Sequence, residues 1–179
     1  MRPPIVFLDR DGTIMEDTGY VRDPGHVRLL SGAGAAIARL NAAGHPVVVV
    51  TNQSGIARGI LTEAEYAAVA TRMEDLLRAE DARLDYTAWC PHAPEVAPAC
   101  DCRKPGTGGH RAAALALGRS TDEAWCIGDR LTDLLPAREF GGRGVLVLSG
   151  DGHAHETQAR SEGFEVAADL PAAVSLILG

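Results

Sequence analysis

The chain predicts an α/β fold: a doubly wound sheet of parallel strands. Three observations carry that reading. Short apolar runs rich in β-branched residues recur along the sequence, segments with helical periodicity separate them, and the unusual polar residues fall directly after the runs.

Residues 4–8 (PIVFL) read as a buried strand, and 46–50 (PVVVV), about 86–89 (YTAW), 124–127 (AWCI) and 144–148 (GVLVL) read the same way. Continuous runs of this length suit a parallel sheet covered on both faces. Ser31 is placed to cap a helix running to about Ala43, with Gly44 at its end. Thr62 and Glu65 have the spacing of a capping box for a helix ending near Glu80. Further helices are expected at about 108–118, 131–140, 154–162 and 169–178. In such sheets ligands bind beyond the carboxyl ends of the strands. Four polar clusters fall there: Asp9 and Asp11; Thr51-Asn52-Gln53-Ser54; a Cys/His/Arg/Lys segment; and Gly128-Asp129.

A length of 179 residues fits one domain, spanning 1–179, with a substantial core. Seventeen basic residues against 24 acidic ones give a net charge of −7, which argues against nucleic acid as a partner. An anionic ligand therefore needs a local site that attracts it against the global field. The apolar runs are too short to span a bilayer, and no charged-then-apolar signal segment opens the chain, so a cytoplasmic protein without membrane association is expected; a monomer is the expected assembly.

Asp9 and Asp11 pose an electrostatic problem, because two neighbouring carboxylates at the end of a buried strand repel and are costly to desolvate. A divalent cation between them removes the repulsion, and hard oxygen ligands suit Mg²⁺. Asp129 can complete the cluster, and with a phosphate ester on the metal one aspartate can attack phosphorus. The pair alone also fits a turn or part of a calcium loop, although Ile14 and Met15 interrupt an EF-hand pattern. In VVVVTNQSGIARG, the Thr51 hydroxyl and a series of backbone N–H groups from Asn52, Gln53 and Ser54 can hold phosphate oxygens, with Gly55 and Gly59 allowing tight turns. An ordinary polar turn fits that stretch equally. Arg103 and Lys104 can bind an anion or form a solvated basic pair.

WCPHAPEVAPACDCRKP carries Cys90, His92, Cys100 and Cys102. Three thiolates and one imidazole make a closed tetrahedral Zn²⁺ site with no open position, hence a structural one. Cys126 sits in an apolar strand and reads as core. His26, His45, His110, His153 and His155 have no constellation around them and read as surface or loop residues.

Taken together and in this order, the segments resemble the haloacid dehalogenase (HAD) superfamily of phosphohydrolases, over about residues 5–148. Asp9-Arg10-Asp11-Gly12-Thr13 matches its Asp-x-Asp-x-Thr motif, Thr51 its strand-end Ser/Thr, Lys104 its lysine, and Gly128 through Asp133 its Gly-Asp-x-x-x-Asp. The resemblance implies Asp9 as nucleophile and Asp11 as general acid and base. It implies Mg²⁺ held by the Asp9 carboxylate, the Asp11 carbonyl and Asp129, with Thr51 and Lys104 on the phosphoryl oxygens and Asp133 orienting Lys104. LDRDGTI, TNQSGIARG, CPH and CDCRKP narrow the resemblance to the small capless group that contains heptose-bisphosphate and histidinol-phosphate phosphatases. That group implies substrate recognition by Arg103, a loop from Asp17 to Tyr20 near the sugar, and an open site. The implied substrate is a sugar bisphosphate of heptose biosynthesis, D-glycero-D-manno-heptose 1,7-bisphosphate, cleaved at its C7 phosphate. Histidinol phosphate is the alternative, and a non-catalytic zinc module the reading from another class. The chain departs from the group after Pro105: Gly106-Thr107-Gly108-Gly109-His110 replaces the usual Pro-Gly-Met helix start, and greater flexibility is expected there.

Overall fold

A computed structural model describes residues 2–95 and 100–179; Met1 and residues 96–99, which belong to the expected zinc loop, lie outside the described residues. The apolar runs form strands β1 (Val6–Leu8), β2 (Val47–Asn52), β3 (Tyr86–Cys90), β4 (Trp125–Gly128) and β5 (Arg143–Val147), joined by β6 (Glu165–Ala167). Every pairing is parallel, in the order β3-β2-β1-β4-β5-β6. The first strand is shorter than the predicted 4–8, because Pro3 and Pro4 precede it and offer no N–H to a ladder. The sixth strand was not expected: three residues with a single β-branched side chain give no pattern, and β6 exists because β5 offers it an edge.

Side-chain alternation sorts the sheet into two buried faces. Val6, Leu8, Val47, Val49 and Ile127 point to one core, which is covered by α1 (Ala33–Ala42), α2 (Glu63–Arg78) and α7 (Leu170–Leu178). Phe7, Val48, Val50 and Cys126 point to the other, covered by α3 (Gly108–Ala116) and by Ala137 and Phe140. Cys126 is thus a core residue, as its strand context predicts.

The Thr62–Glu65 capping box forms, with the Thr62 hydroxyl accepting from the Glu65 N–H and the Glu65 carboxylate from the Thr62 N–H. Ser31 does not cap α1. Gly32 occupies the cap at φ +75°, a left-handed conformation that favours glycine, and this shifts the serine out of reach of the first turn. The single helix expected at 131–140 is two short ones, α4 (Leu131–Leu134) and α5 (Pro136–Glu139), because Pro136 cannot continue the hydrogen-bond ladder. α6 spans Gly152–Ser161. Between Ile14 and β2 the chain makes a small flap with one 3-10 turn (Pro24–His26) and then α1, so no cap domain is inserted there. Among the described residues no helix is long and apolar enough to cross a membrane.

The sheet order reverses between β1 and β4, which makes their carboxyl ends the switch point where ligands bind in doubly wound folds. Asp9 follows β1 and Asp129 follows β4.

Candidate active site

Parallel register places Leu8 beside Ile127, so Asp9 emerges level with Gly128, and Asp129 comes one residue later at the same sheet edge. Their carboxylates and that of Asp133 bring ligand oxygens within 4.8 Å of one another. The cluster is packed too tightly for anything but glycine beside it. A Cβ on Gly12 or on Gly150 would come within 2.3 Å of Asp129 Oδ2, and both glycines adopt positive φ. Asp129 is 1% exposed. Its Oδ2 accepts from the Asp151 N–H at 2.8 Å, whereas its Oδ1, fully buried, has no hydrogen-bond partner. Burial pushes the Asp129 carboxyl up to about 6. Burial likewise raises Asp9 well above the usual carboxylate range; Lys104 opposes the shift, and Asp133, Asp11 and Asp129 add to it. A buried carboxylate oxygen with no hydrogen-bond partner and only the Arg130 Nε at 4.0 Å, inside a cluster of acids whose charge is disfavoured, fits a divalent cation with oxygen ligands.

Lys104 lies across the cluster. Its ammonium donates to Asp9 Oδ1 and the Val50 carbonyl, each at 2.6 Å, and pairs with Asp133 at 2.8 Å. Burial works against its charge, but Asp133 and Asp9 outweigh it and hold the proton above the usual lysine range. The Asn52 amide fixes the Lys104 backbone, accepting from its N–H at 3.0 Å and donating to its carbonyl at 3.2 Å. Asp133 also accepts from the Arg130 N–H, which closes the turn after β4. Thr51, 1% exposed, accepts from the Gln53 amide at 2.8 Å, and the same amide reaches Asp11 Oδ2 at 3.0 Å. The Asp11 carboxylate faces Gln53 and Arg10 and stands apart from the acidic trio, so of the sequence-predicted metal set only Asp9 and Asp129 bring carboxylates together.

Asp9, Asp11, Thr51, Gln53, Lys104 and Asp133 line a cleft of about 640 Å³ that also receives Asp17, Tyr20, Asn52, Ser54 and Arg103. Every residue assigned to catalysis or substrate from the sequence is therefore at the cleft. Among the lining residues with ionisable side chains, four were not assigned: Arg58, Arg130, Asp151 and His155. Arg130 pairs with Asp151 at 2.6 Å and Asp17 at 3.5 Å, and Arg58 joins the Tyr20 hydroxyl to Glu95. Arg58 and Arg130 stand inside motifs already noted, and Asp151 follows β5, so extending the strand-end rule to the fifth strand finds it.

Two histidines are not where the sequence reading puts them. His110 is 1% exposed, edge-on to Phe7 with ring centroids 4.8 Å apart, and burial with Lys104 nearby lowers its pKa to about 3. His45 is buried too, its Nδ1 2.9 Å from the Pro4 carbonyl oxygen. The glycines before His110 are not loose. A Cβ on Gly106 would meet the Asp101 carbonyl at 2.5 Å and that of Arg103 at 2.8 Å, and the Gly108 N–H donates to Asp101 O. Close backbone approach, rather than flexibility, accounts for them.

Beside Arg103 and Lys104, Cys90, His92, Cys100 and Cys102 converge with all ligand atoms within 4.8 Å, and none of the cysteines is in a disulfide. Cys90 Sγ lies 3.7 Å from Cys100 Sγ and 3.0 Å from Cys102 Sγ, and His92 Nδ1 lies 3.3 Å from Cys102 Sγ. Zn–S bonds of about 2.3 Å in a tetrahedron separate sulfurs by roughly 3.8 Å, so the donor set and its spacing fit zinc. Arg103, next in the chain, donates to the His92 carbonyl at 3.1 Å.

A buried acidic cluster and a shared lysine, at the switch point of a parallel sheet, define a hydrolase of the HAD-like class. The family model described as "HAD-hyrolase-like" matches residues 101–173. D-glycero-beta-D-manno-heptose-1,7-bisphosphate 7-phosphatase from Escherichia coli O6:H1 is 38% identical over 178 residues, covering 96% of this chain and 94% of the relative. The enzyme of the same name from Haemophilus ducreyi is 37% identical, covering 88% and 90%. The crystal structure of D,D-heptose 1,7-bisphosphate phosphatase from B. bronchiseptica, complexed with magnesium and phosphate, superposes with a TM-score of 0.88 at 35% identity, covering 98% of each chain. The chain belongs to the HAD-like hydrolases and, within them, to the family of these heptose-bisphosphate phosphatases.

Proposed function

We propose that the protein is a Mg²⁺-dependent phosphatase that removes the C7 phosphate of D-glycero-D-manno-heptose 1,7-bisphosphate through an aspartyl-phosphate. The observation that carries this reading is the Asp9–Lys104–Asp133–Asp129 cluster at the cleft floor, and the names of the relatives support the substrate.

Asp9 attacks phosphorus: its Oδ–P bond forms as the P–O bond to the sugar breaks, and the Asp11 carboxyl gives its proton to the departing alkoxide. Asp11, now a carboxylate, takes a proton from water, whose oxygen attacks the aspartyl-phosphate and releases inorganic phosphate and free Asp9. Magnesium, held by the Asp9 and Asp129 carboxylates and the Asp11 carbonyl, offsets the negative charge that gathers as phosphate meets the acidic cluster. Lys104 and Thr51 hold the transferring phosphoryl oxygens, and Asp133 fixes Lys104 for that task. Asn52, Gln53 and Ser54 supply the loop around the phosphate, while Arg103, Asp17 and Tyr20 face the rest of the substrate. Cys90, His92, Cys100 and Cys102 would hold zinc, which would fix the backbone that carries Arg103 and Lys104.

All these groups come from one chain, which we read as a single domain over 1–179 acting as a monomer on a small molecule, without nucleic acid or membrane. Its four free cysteines suit the reducing cytoplasm. Asp9→Asn tests the scheme: phosphate release from the heptose bisphosphate is expected to fall at least ~10³-fold while zinc content is kept. Turnover near wild type in that variant refutes Asp9 as the nucleophile. A specificity constant for histidinol phosphate equal to that for the heptose bisphosphate refutes the substrate assignment.

A further inference from the structure

Arg10 lies between the two aspartates, and the scheme above gives it no task. Its side chain is 2% exposed, an expensive place for a guanidinium. Nε donates to both oxygens of Asp11 at 3.1 Å, and Nη2 pairs with Oδ1 at 2.9 Å. Nη1 is buried without a hydrogen-bond partner, so the arrangement is poorly explained as a stabilising pair. From the other side the Gln53 amide donates to Asp11 Oδ2. The guanidinium is itself held: its carbon lies 5.4 Å from the centroid of the Tyr66 ring, and that ring packs at a tilt against Trp89 with centroids 4.9 Å apart. α2 and β3 thus fix Arg10, and Arg10 with Gln53 fixes the one carboxylate that the scheme requires to move protons. Asp11 keeps 19% of its side chain exposed on an open cleft, where an untethered carboxylate swings to solvent. A displacement on the order of 1 Å costs about 10²-fold in such a step.

We propose that Arg10 is a positioning residue that holds the Asp11 carboxyl beside the apical position that the leaving oxygen vacates and the attacking water then takes. The inference rests on the phosphatase reading and adds a property that reading does not contain. Proton donation matters for an ester whose leaving group is a basic sugar alkoxide and matters little for p-nitrophenolate, which departs without a proton. Both esters give the same aspartyl-phosphate, and its hydrolysis again needs Asp11.

The test compares kcat/KM for the heptose bisphosphate and for p-nitrophenyl phosphate, with Mg²⁺, in wild type, Arg10→Met and Arg10→Lys. In Arg10→Met the sugar ester is expected to lose ~100-fold and the aryl ester less than about 3-fold. A burst of p-nitrophenol should appear, because kcat/KM ends at phosphoryl transfer while the slowed hydrolysis follows it. Arg10→Lys keeps the charge without the fork and should lose roughly 10-fold on the sugar ester, with the aryl ester close to wild type. Should Arg10→Met not fold, the ratio in Arg10→Lys decides. Equal losses on both esters, or a lowered unfolding midpoint with neither ester affected, overturn the role of Arg10. A wild-type protein that cleaves neither ester overturns the phosphatase reading instead.

Discussion

Replacing His110 with leucine should change the acid stability of the protein in a way that its neutral-pH stability does not show. The imidazole is 1% exposed and packs edge-on to Phe7, behind Lys104, with no hydrogen-bond partner for Nδ1. Its folded-state pKa, about 3, lies well below the unfolded value of about 6.5. Between those values the unfolded chain binds a proton that the folded chain refuses, so stability is full above about pH 6.5 and is lost as pH falls. The slope is about 1.4 kcal/mol per pH unit, or roughly 2.7 kcal/mol at pH 4.5. Asp129, pushed up to about 6, works in the opposite direction, since the folded state takes up its proton first. That contribution is common to both proteins and cancels in their difference. Urea unfolding of wild type and His110→Leu at pH 7.5, 6.5, 5.5 and 4.5, without added metal, measures that difference directly. Whatever the offset at pH 7.5, leucine should gain on wild type by roughly 1.4 kcal/mol for each unit below pH 6.5. Two parallel curves would show that the folded protein charges His110 freely, and the account of its burial would be wrong.

Cys100→Ser should lower zinc stoichiometry from one per chain and the unfolding midpoint together, read by metal analysis and thermal melting; an unchanged metal content refutes the zinc assignment. Gly106→Ala pushes a methyl group to within 2.5 Å of the Asp101 carbonyl and 2.8 Å of that of Arg103, both backbone atoms that cannot swing away. A loss of about 1–3 kcal/mol is expected in urea unfolding, with kcat falling as Lys104 moves. A fully stable and active variant would restore the flexible-hinge reading of that segment.

How legible the site was depended on whether a residue's task is local. Asp9, Thr51 and Asp129 could be placed because each follows a β-rich run, and a parallel sheet gathers its strand ends. Cys90, His92, Cys100 and Cys102 were legible because their residue types have few other uses at that spacing. His110 was misread as a surface residue because burial is a property of what packs on a residue, here Phe7 and Phe140 from distant segments. Ser31 failed as a cap because a single left-handed glycine, Gly32, sets the entry to the helix. β6 and Asp151 were missed because neither has a pattern of its own. One becomes a strand only beside β5, and the other reaches the cleft only because β5 lies next to β4.

Sequence by itself determined the alternating architecture, the acidic and polar strand ends and the Cys/His tetrad, since periodicity, capping chemistry and ligand type act over a few neighbouring residues. Tertiary structure alone decided which carboxylates gather into one cluster and which is tied to Arg10. It also decided that Lys104 bridges Asp9 and Asp133 rather than standing free, and that one histidine is forced to stay neutral. Those outcomes depend on distance and desolvation across strands far apart in the chain, and both are settled only when the sheet closes its core around them.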